Sequence, residues 1–438
     1  MTIERAAVEA ALDRLGRGAR LDVSAERVGL LRFAESRVVF QHDEERLRVR
    51  ARVTRDGRTA SGMLETLEPA FVGALADRLE DGLASLPKRD LAPATAQLGG
   101  VASRPVASEA TLRAGAPDRY RAFEEIRAGL GDGFALGGSI RHDIAERVVS
   151  DSDGLYRNEV LTKATLQAIA DRDGRTASVR RVHRDSAAIR VDDVASVLRE
   201  ELRELPIAES VSGPFRAVLR PQAALTLIAT YGYWSLGAAG FDERRTAVAG
   251  KLDERVAGQL VTLVDDGNDP DGLPSGFDPE GTPKQRVPLL ERGVVAGVVS
   301  NVAWSHVTGG VSTGHGVPDG WRFGGDPAPS HLLLGAGDAS EEQLVEACGD
   351  GLVISRLDYL RVLHPKETLV TGTTRDATYR IENGRIVAWY PRVRLTFRID
   401  EVLAAIVGVG AERERGDIVF MESVVVPPLL VEAGPLTL

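Results

Sequence analysis

One cysteine, Cys348, in 438 residues excludes an internal disulfide and a zinc cage built of thiolates, and a reducing compartment fits such usage. A basic field is lacking too. The formal net charge is −10 and the pI is near 5.4, which argues against general nucleic-acid binding and against an anionic membrane surface. The arginine-rich residues 180–184 are the counter-candidate, but their neighbours alternate as a strand does, so a solvated strand face is expected there. The seven histidines include no pair at i, i+4 and no H-E-x-x-H, so no metal site announces itself. No G-x-G-x-x-G stands between a strand and a helix, and residues 249–251, Ala-Gly-Lys, lack the rest of a P-loop. The N-terminus carries acidic residues and a helical pattern through Ile3, Val8, Leu12 and Leu15 rather than a basic region followed by an apolar run. No secretion signal is expected, and the cytoplasm is the expected location. No internal repeat of fixed period is found.

What is there describes a soluble globular protein: 43% hydrophobic residues, 27% charged residues and 46 glycines. The length allows two domains, each with a core of its own. The expected fold class is α+β, with an N-terminal α/β domain over residues 1–210 and a C-terminal β-rich domain, barrel- or sandwich-like, over residues 211–438. In the first, Leu47, Val49, Ala51 and Val53 alternate with Arg48, Arg50, Arg52 and Thr54, which is the period of a strand in a meander sheet with one wet face. Phe71, Val72, Leu75, Leu79 and Leu83 predict a helix of about five turns packed on that sheet. Residues 91–117 read as a loop, and helices are expected over 118–130 and 191–205. Beyond residue 240 short apolar strands alternate with glycine-rich turns. One helix there is marked by a capping box, Ser340 with Gln343, and a stop at Gly349.

Residues 223–240 hold no ionisable group except Tyr231 and Tyr233. Three glycines, two threonines and a serine make a buried helix after Pro221 the better reading than a membrane span. Residues 310–314, Gly-Val-Ser-Thr-Gly, match G-x-S-x-G, with His315, Asp319, His331 and His364 as conceivable partners. That elbow needs a helix after its serine, whereas glycine and proline follow here, so a serine hydrolase of that type is not expected. His306 and His315 lie closest in a plausible loop and form a candidate pocket. The acidic residues 264–272 lack the spacing of a calcium loop and read as a capped turn.

Several stretches resemble the TldD/PmbA (TldE) family: residues 250–267, 275–301, 311–323 and 373–386, in order, and further back 30–41 and 57–75. The most specific are F-D-x-E-G-x-x-x-x-R at 277–286 and I-E-N-G at 381–384. The resemblance covers nearly the whole chain. It implies a two-domain, dimerising member of a family of zinc peptidases that act on unfolded peptides. In the catalytic TldD branch, it implies further, an H-E-x-x-x-H helix precedes the "VDDG" stretch and a cysteine near the C-terminus completes the zinc site.

Counted back from Asp265, that motif falls within a residue or two on Ala229, Thr230, Tyr231, Tyr233 and Trp234, none of them a zinc ligand of that motif. Met421 stands about where the cysteine would be, and Cys348 is on the wrong helix to replace it. Neither catalytic nor metal-ligating residues are therefore expected in this chain. The pattern, with residues 312–315 and 321–323, resembles the TldE/PmbA branch, whose members pair with a TldD subunit. That resemblance implies no cofactor in this chain, zinc in an H-E-x-x-x-H partner, a hetero- or homodimer, and an extended peptide substrate bound by strand addition. Degradation of unfolded peptides and leader trimming are the family's implied roles. The alternative is a member recruited as an independent, metal-free enzyme, for example in natural-product biosynthesis, with Tyr231, Tyr233, His306 and His315 as the residues to test.

Overall fold

The computed structural model describes residues 2–88, 107–209, 213–318, 326–419 and 421–437. Asp319, residues 321–323 and most of the expected loop at 91–117 lie outside them.

The N-terminal half builds one antiparallel sheet from β1 (Ala19–Ala34), β2 (Arg37–Arg55), β3 (Arg58–Leu64), β4 (Ala135–Asp151), β5 (Tyr156–Arg172) and β6 (Arg175–His183), in the order β3-β2-β1-β4-β5-β6. Helices α1 (Arg5–Leu15) and α2 (Pro69–Leu83) flank the first three strands in sequence; after the short α3 (Glu109–Arg113), helices α4 (Ala116–Leu130) and α5 (Val194–Glu201) flank the second three. This is a duplicated helix–meander–helix unit that no fixed period betrays. Its one literal trace is the heptapeptide Arg-Asp-Gly-Arg-Thr-Ala-Ser at 55–61 and again at 172–178. Both copies turn a hairpin, with Asp56 and Gly57 at φ 51° and 76° and Asp173 and Gly174 at φ 55° and 78°.

Alternation places Leu21, Val23, Ala25, Val49, Ala51 and Val53 in a core under α1 and α2, with Ile3, Val8, Leu12 and Leu15. Phe71, expected on that apolar face, is 54% exposed; the buried face of α2 is Val72, Gly73, Leu75, Leu79 and Leu83, on about four turns rather than five. The helix expected over 191–205 is likewise shorter, at Val194–Glu201.

The C-terminal half is β-rich, as expected, and builds two sheets around a helix. Its elements are β7 (Arg216–Leu219), α6 (Pro221–Ser235), α7 (Ala238–Asp242), β8 (Leu263–Asp265), β9 (Val287–Glu291), β10 (Val294–Val295), β11 (His331–Leu334), α8 (Glu341–Cys348), β12 (Gly351–His364), β13 (Leu369–Glu382), β14 (Arg385–Trp389), β15 (Arg394–Arg398), α9 (Ile399–Ala404), β16 (Ile406–Val409), β17 (Glu414–Ile418), β18 (Met421–Val426) and β19 (Leu429–Val431). One sheet runs β10-β9-β8-β11-β18-β17 and the other β14-β13-β12-β7-β19-β16, with β15 also paired to β13. The I-E-N-G motif is the β13–β14 turn, where Asn383 and Gly384 take φ 49° and 73°. The α8 capping box forms as expected, with Ser340 Oγ accepting from the Gln343 amide.

Helix α6 explains the uncharged residues 223–240. It packs against strands of both sheets, and Ala223, Leu227, Ile228 and Ala229 are fully buried. Gly232 allows a close approach there, since a Cβ would lie 2.5 Å from Cδ1 of Leu332 on β11 and that side chain would have to shift. Among the described residues no helix is long and apolar enough to cross a membrane. The two halves also share a core: Phe123, Ile126 and Leu198 from the first pack with Val353, Tyr379 and Trp389 from the second.

Candidate functional site

The face of the first sheet opposite α1 and α2 does not look into bulk solvent alone. Asp22, Ser24 and Glu26 of β1, Arg50 of β2, Arg147 of β4 and Lys163 of β5 form one wall of a cleft of about 350 Å³. Residues 316–318, Phe277, Asp278, Lys284, Ser330, Met421, Glu422 and Tyr233 of α6 form the other. Ion pairs stiffen the first wall. Asp22 meets Arg50 at 3.1 Å, Arg147 meets Glu159 at 3.4 Å, and Lys163 Nζ meets Asp417 Oδ2 at 2.8 Å. Asp417 also pairs with Arg180, and Arg181 bonds Asp193 at 3.2 Å. The arginine-rich run is thus ion-paired against β17 and the residue that precedes α5, not simply a solvated strand face.

Beneath the second wall lies a polar network that the sequence does not announce. Asp265 ends β8, and its Oδ1 is 2.8 Å from Nε2 of His315, both side chains fully buried. Thr313 Oγ1 is 2.9 Å from the other ring nitrogen of His315. Oδ2 of Asp265 accepts the backbone N–H of Ser330 at 2.6 Å and of His331 at 2.9 Å. Burial works to raise the Asp265 carboxyl, but His315 in contact, with His331 and Lys284 farther off, holds it well below the usual carboxylate range.

The F-D-x-E-G loop is built the same way. Asp278 Oδ1 accepts from the amides of Glu280 and Thr282 at 2.9 Å each, and Oδ2 from Gly316 at 2.7 Å, tying the loop to the chain after His315. Glu280 Oε2 accepts the Val302 amide at 3.0 Å; burial, then the neighbouring Asp278, pushes its carboxyl up to about 7.

The expected positions separate. Ala229, Thr230 and Tyr231 are buried within α6, Thr230 bonding the Thr226 carbonyl at 2.7 Å. The Tyr231 hydroxyl is buried with no partner among the described residues, and burial raises its pKa. Tyr233 reaches the cleft. Trp234 stacks edge-on against it at 5.5 Å and lines a smaller hollow of about 220 Å³. Met421, the place of the expected cysteine, lines the same cleft as Tyr233. The helix position and the C-terminal position therefore converge, but a phenol and a thioether do not suit Zn²⁺, which takes imidazole, thiolate or carboxylate.

His306 and His315 form no common pocket. His306 is 61% exposed, 3.7 Å from Asp242, whereas His315 is sealed against Asp265. In the G-x-S-x-G stretch Ser312 is buried, its Oγ accepting the Gly314 amide at 3.2 Å, and among the described residues no helix begins directly after it. His364 is an exposed side chain beside Glu367. Residues 264–272 make capped turns, as expected: Asp266 accepts the Asn268 amide at 2.9 Å and Asp269 the Asp271 amide at 2.8 Å. Among the described residues, no group of three His, Cys, Asp or Glu could hold a metal ion.

Residues 212–434 match the model of the PmbA/TldA metallopeptidase C-terminal domain. A metalloprotease TldD homolog of Buchnera aphidicola is 25% identical over 206 residues, 46% of this chain and 42% of that protein. An uncharacterized protein of Methanocaldococcus jannaschii is 23% identical over 202 residues, 46% of this chain and 48% of its own length. The chain thus spans about half the length of the curated relatives it matches. Solved structures are similar over nearly the whole fold. TldE from Thermococcus kodakarensis superposes with a TM-score of 0.84 at 18% identity, covering 98% of this chain and 99% of that one. A Thermotoga maritima protein described as a candidate modulator of a DNA gyrase gives 0.83 at 20% identity, with the same coverage.

Proposed function

Because the chain belongs to the PmbA/TldD metallopeptidase family, we propose that it is a TldE-like subunit of a two-component metallopeptidase, with the zinc chemistry in an H-E-x-x-x-H partner. One observation carries this reading. Tyr233 and Met421, from the places where the family's metal helix and its cysteine would fall, meet in one cleft and offer zinc no ligand set. Without two imidazoles and a glutamate, a metal-bound water cannot be held and deprotonated there. The cleft would instead hold an extended peptide mainly through its backbone, which suits broad substrates. The chain would act in the cytoplasm, its two domains dividing near residue 210.

Native mass spectrometry of the assembly isolated from the protein's own host tests this. A heteromer of this chain with an H-E-x-x-x-H protein, carrying zinc, is expected; a metal-free homodimer would overturn it. A second reading, recruitment to metal-free chemistry, is favoured by a partly exposed serine in the same cleft, Ser330, whose hydroxyl contacts the buried ring of His331.

A further inference from the structure

We propose that Ser330 is the nucleophile of a metal-independent acyl-transfer centre in the cleft, with His331 as its base and Lys284 as the stabiliser of the developing oxyanion, acting on an ester or amide carbonyl. Ser330 lines the cleft and keeps part of its surface open, whereas the motif serine, Ser312, is buried. Ser330 Oγ is 2.9 Å from Nδ1 of His331, and the Lys284 ammonium donates to the same oxygen. On the far side of the ring, Nε2 lies 2.9 Å from the carbonyl of Leu273 and 3.3 Å from Oε2 of Glu422. A carbonyl can only accept, so Nε2 carries a proton, and in the neutral ring Nδ1 is left to accept the serine hydroxyl.

Each charge then stands where acyl transfer needs it. Lys284 favours negative charge on the serine oxygen, and Glu422 favours positive charge on the imidazole. Burial lowers the His331 pKa and Lys284 adds to that, only partly offset by Glu422 and Asp265, which keeps the resting ring neutral. Asp265 fixes the pair by accepting both backbone amides, those of Ser330 and His331. Those two amides are thereby spent and cannot serve as an oxyanion hole. Lys284 can: it is 7% exposed and makes no ion pair among the described residues, so two of its three N–H groups remain for the oxyanion. Phe277, Met421 and Tyr233 supply apolar surface for the acyl side of the ligand.

In the step, Ser330 Oγ bonds to the acyl carbon as its proton passes to His331 Nδ1, and the carbonyl oxygen becomes an oxyanion facing Lys284. The imidazolium returns that proton to the leaving alcohol or amine as the bond to it breaks. Water, deprotonated by the same ring, then hydrolyses the acyl-serine. No metal and no redox partner enters. The inference stands apart from the subunit reading, since missing zinc ligands do not affect it.

The test is treatment of the full purified chain with a fluorophosphonate probe, followed by peptide mapping, alongside hydrolysis of p-nitrophenyl butyrate with and without chelator. One adduct per chain on Ser330 is expected, absent in S330A, insensitive to chelator, and slowed on the order of a hundredfold in H331Q. S330A keeps the backbone amide that Asp265 accepts. Should H331Q fail to fold, K284M carries the same test, because methionine retains most of the lysine stem. Absence of label on Ser330 under conditions that label trypsin would overturn the proposal, as would equal labelling rates in wild type and the folded variant.

Discussion

Nε2 of His315 lies 2.8 Å from Oδ1 of Asp265, and no solvent reaches either side chain. The same carboxylate holds two backbone amides, so it anchors β8, the chain before β11 and the loop after residue 310 at once. Removing it would strand a buried histidine and two N–H groups. Asp265→Ala is expected to cost about 3–5 kcal/mol or to prevent folding, read from urea unfolding midpoints.

The pH dependence of that anchor has a definite sign. The folded carboxyl is held below its unfolded value of about 3.9, so its contribution is present above about pH 4 and is lost as pH falls through the lower folded value. Wild type should lose stability between pH 5 and pH 3 more steeply than Asp265→Asn does. Parallel slopes in urea melts at the two pH values would show that Asp265 does not supply the effect.

Glu280 works in the opposite sense. Its folded carboxyl titrates near 7, above the unfolded value near 4.3, so the folded state binds more protons between those values and stability falls as pH rises through them. Glu280→Gln keeps an acceptor for the Val302 amide and removes the titration. Its melting temperature should change less between pH 5 and pH 8 than that of wild type, the removed difference being roughly 2–3 kcal/mol. Thermal melts at the two pH values decide it.

Much of this architecture is legible in sequence because it is written in local periods. The alternation from Leu47 to Val53, the apolar face of α2 from Val72 on, the Ser340–Gln343 box and the Asn383–Gly384 turn need only neighbouring residues to specify them. The converging positions of Tyr233 and Met421 come from resemblance, since nearly the length of the C-terminal half separates them in sequence. The Asp265–His315 pair and the Ser330–His331–Glu422 contact had no such signal. They involve β8, β11 and β18, where β11 pairs antiparallel with β8 and parallel with β18, His331 opposite Ser423, and periodicity reveals neither pairing. Alternation likewise marks the exposed face of the first sheet as polar without saying what lies across from it.

The phenol of Tyr231 is a buried donor without a partner among the described residues, in the C-terminal half of α6. Phenylalanine would keep the ring's packing and remove the unsatisfied hydroxyl. Tyr231→Phe is expected to raise stability by about 1 kcal/mol, measured as a higher melting temperature. A drop instead would mean that the hydroxyl does useful bonding.

Asp417 closes the cleft's rim by accepting from Lys163 and Arg180, so the strand β17 is clasped to β5 and β6 of the other half. Burial opposes the charge, but the two cations, with Lys163 the stronger influence, hold the carboxyl below its ordinary value. Both cations are partly exposed, which limits the cost of leaving them unpaired. Asp417→Ala should therefore lower global stability by only about 1–2 kcal/mol, while freeing the clasp locally. Hydrogen–deuterium exchange is expected to rise in peptides covering β17 and β6 and to stay unchanged in α1 and α2, which belong to a separate core. A uniform rise across the whole chain would show that Asp417 stabilises the fold at large and does not act as a local clasp between the halves.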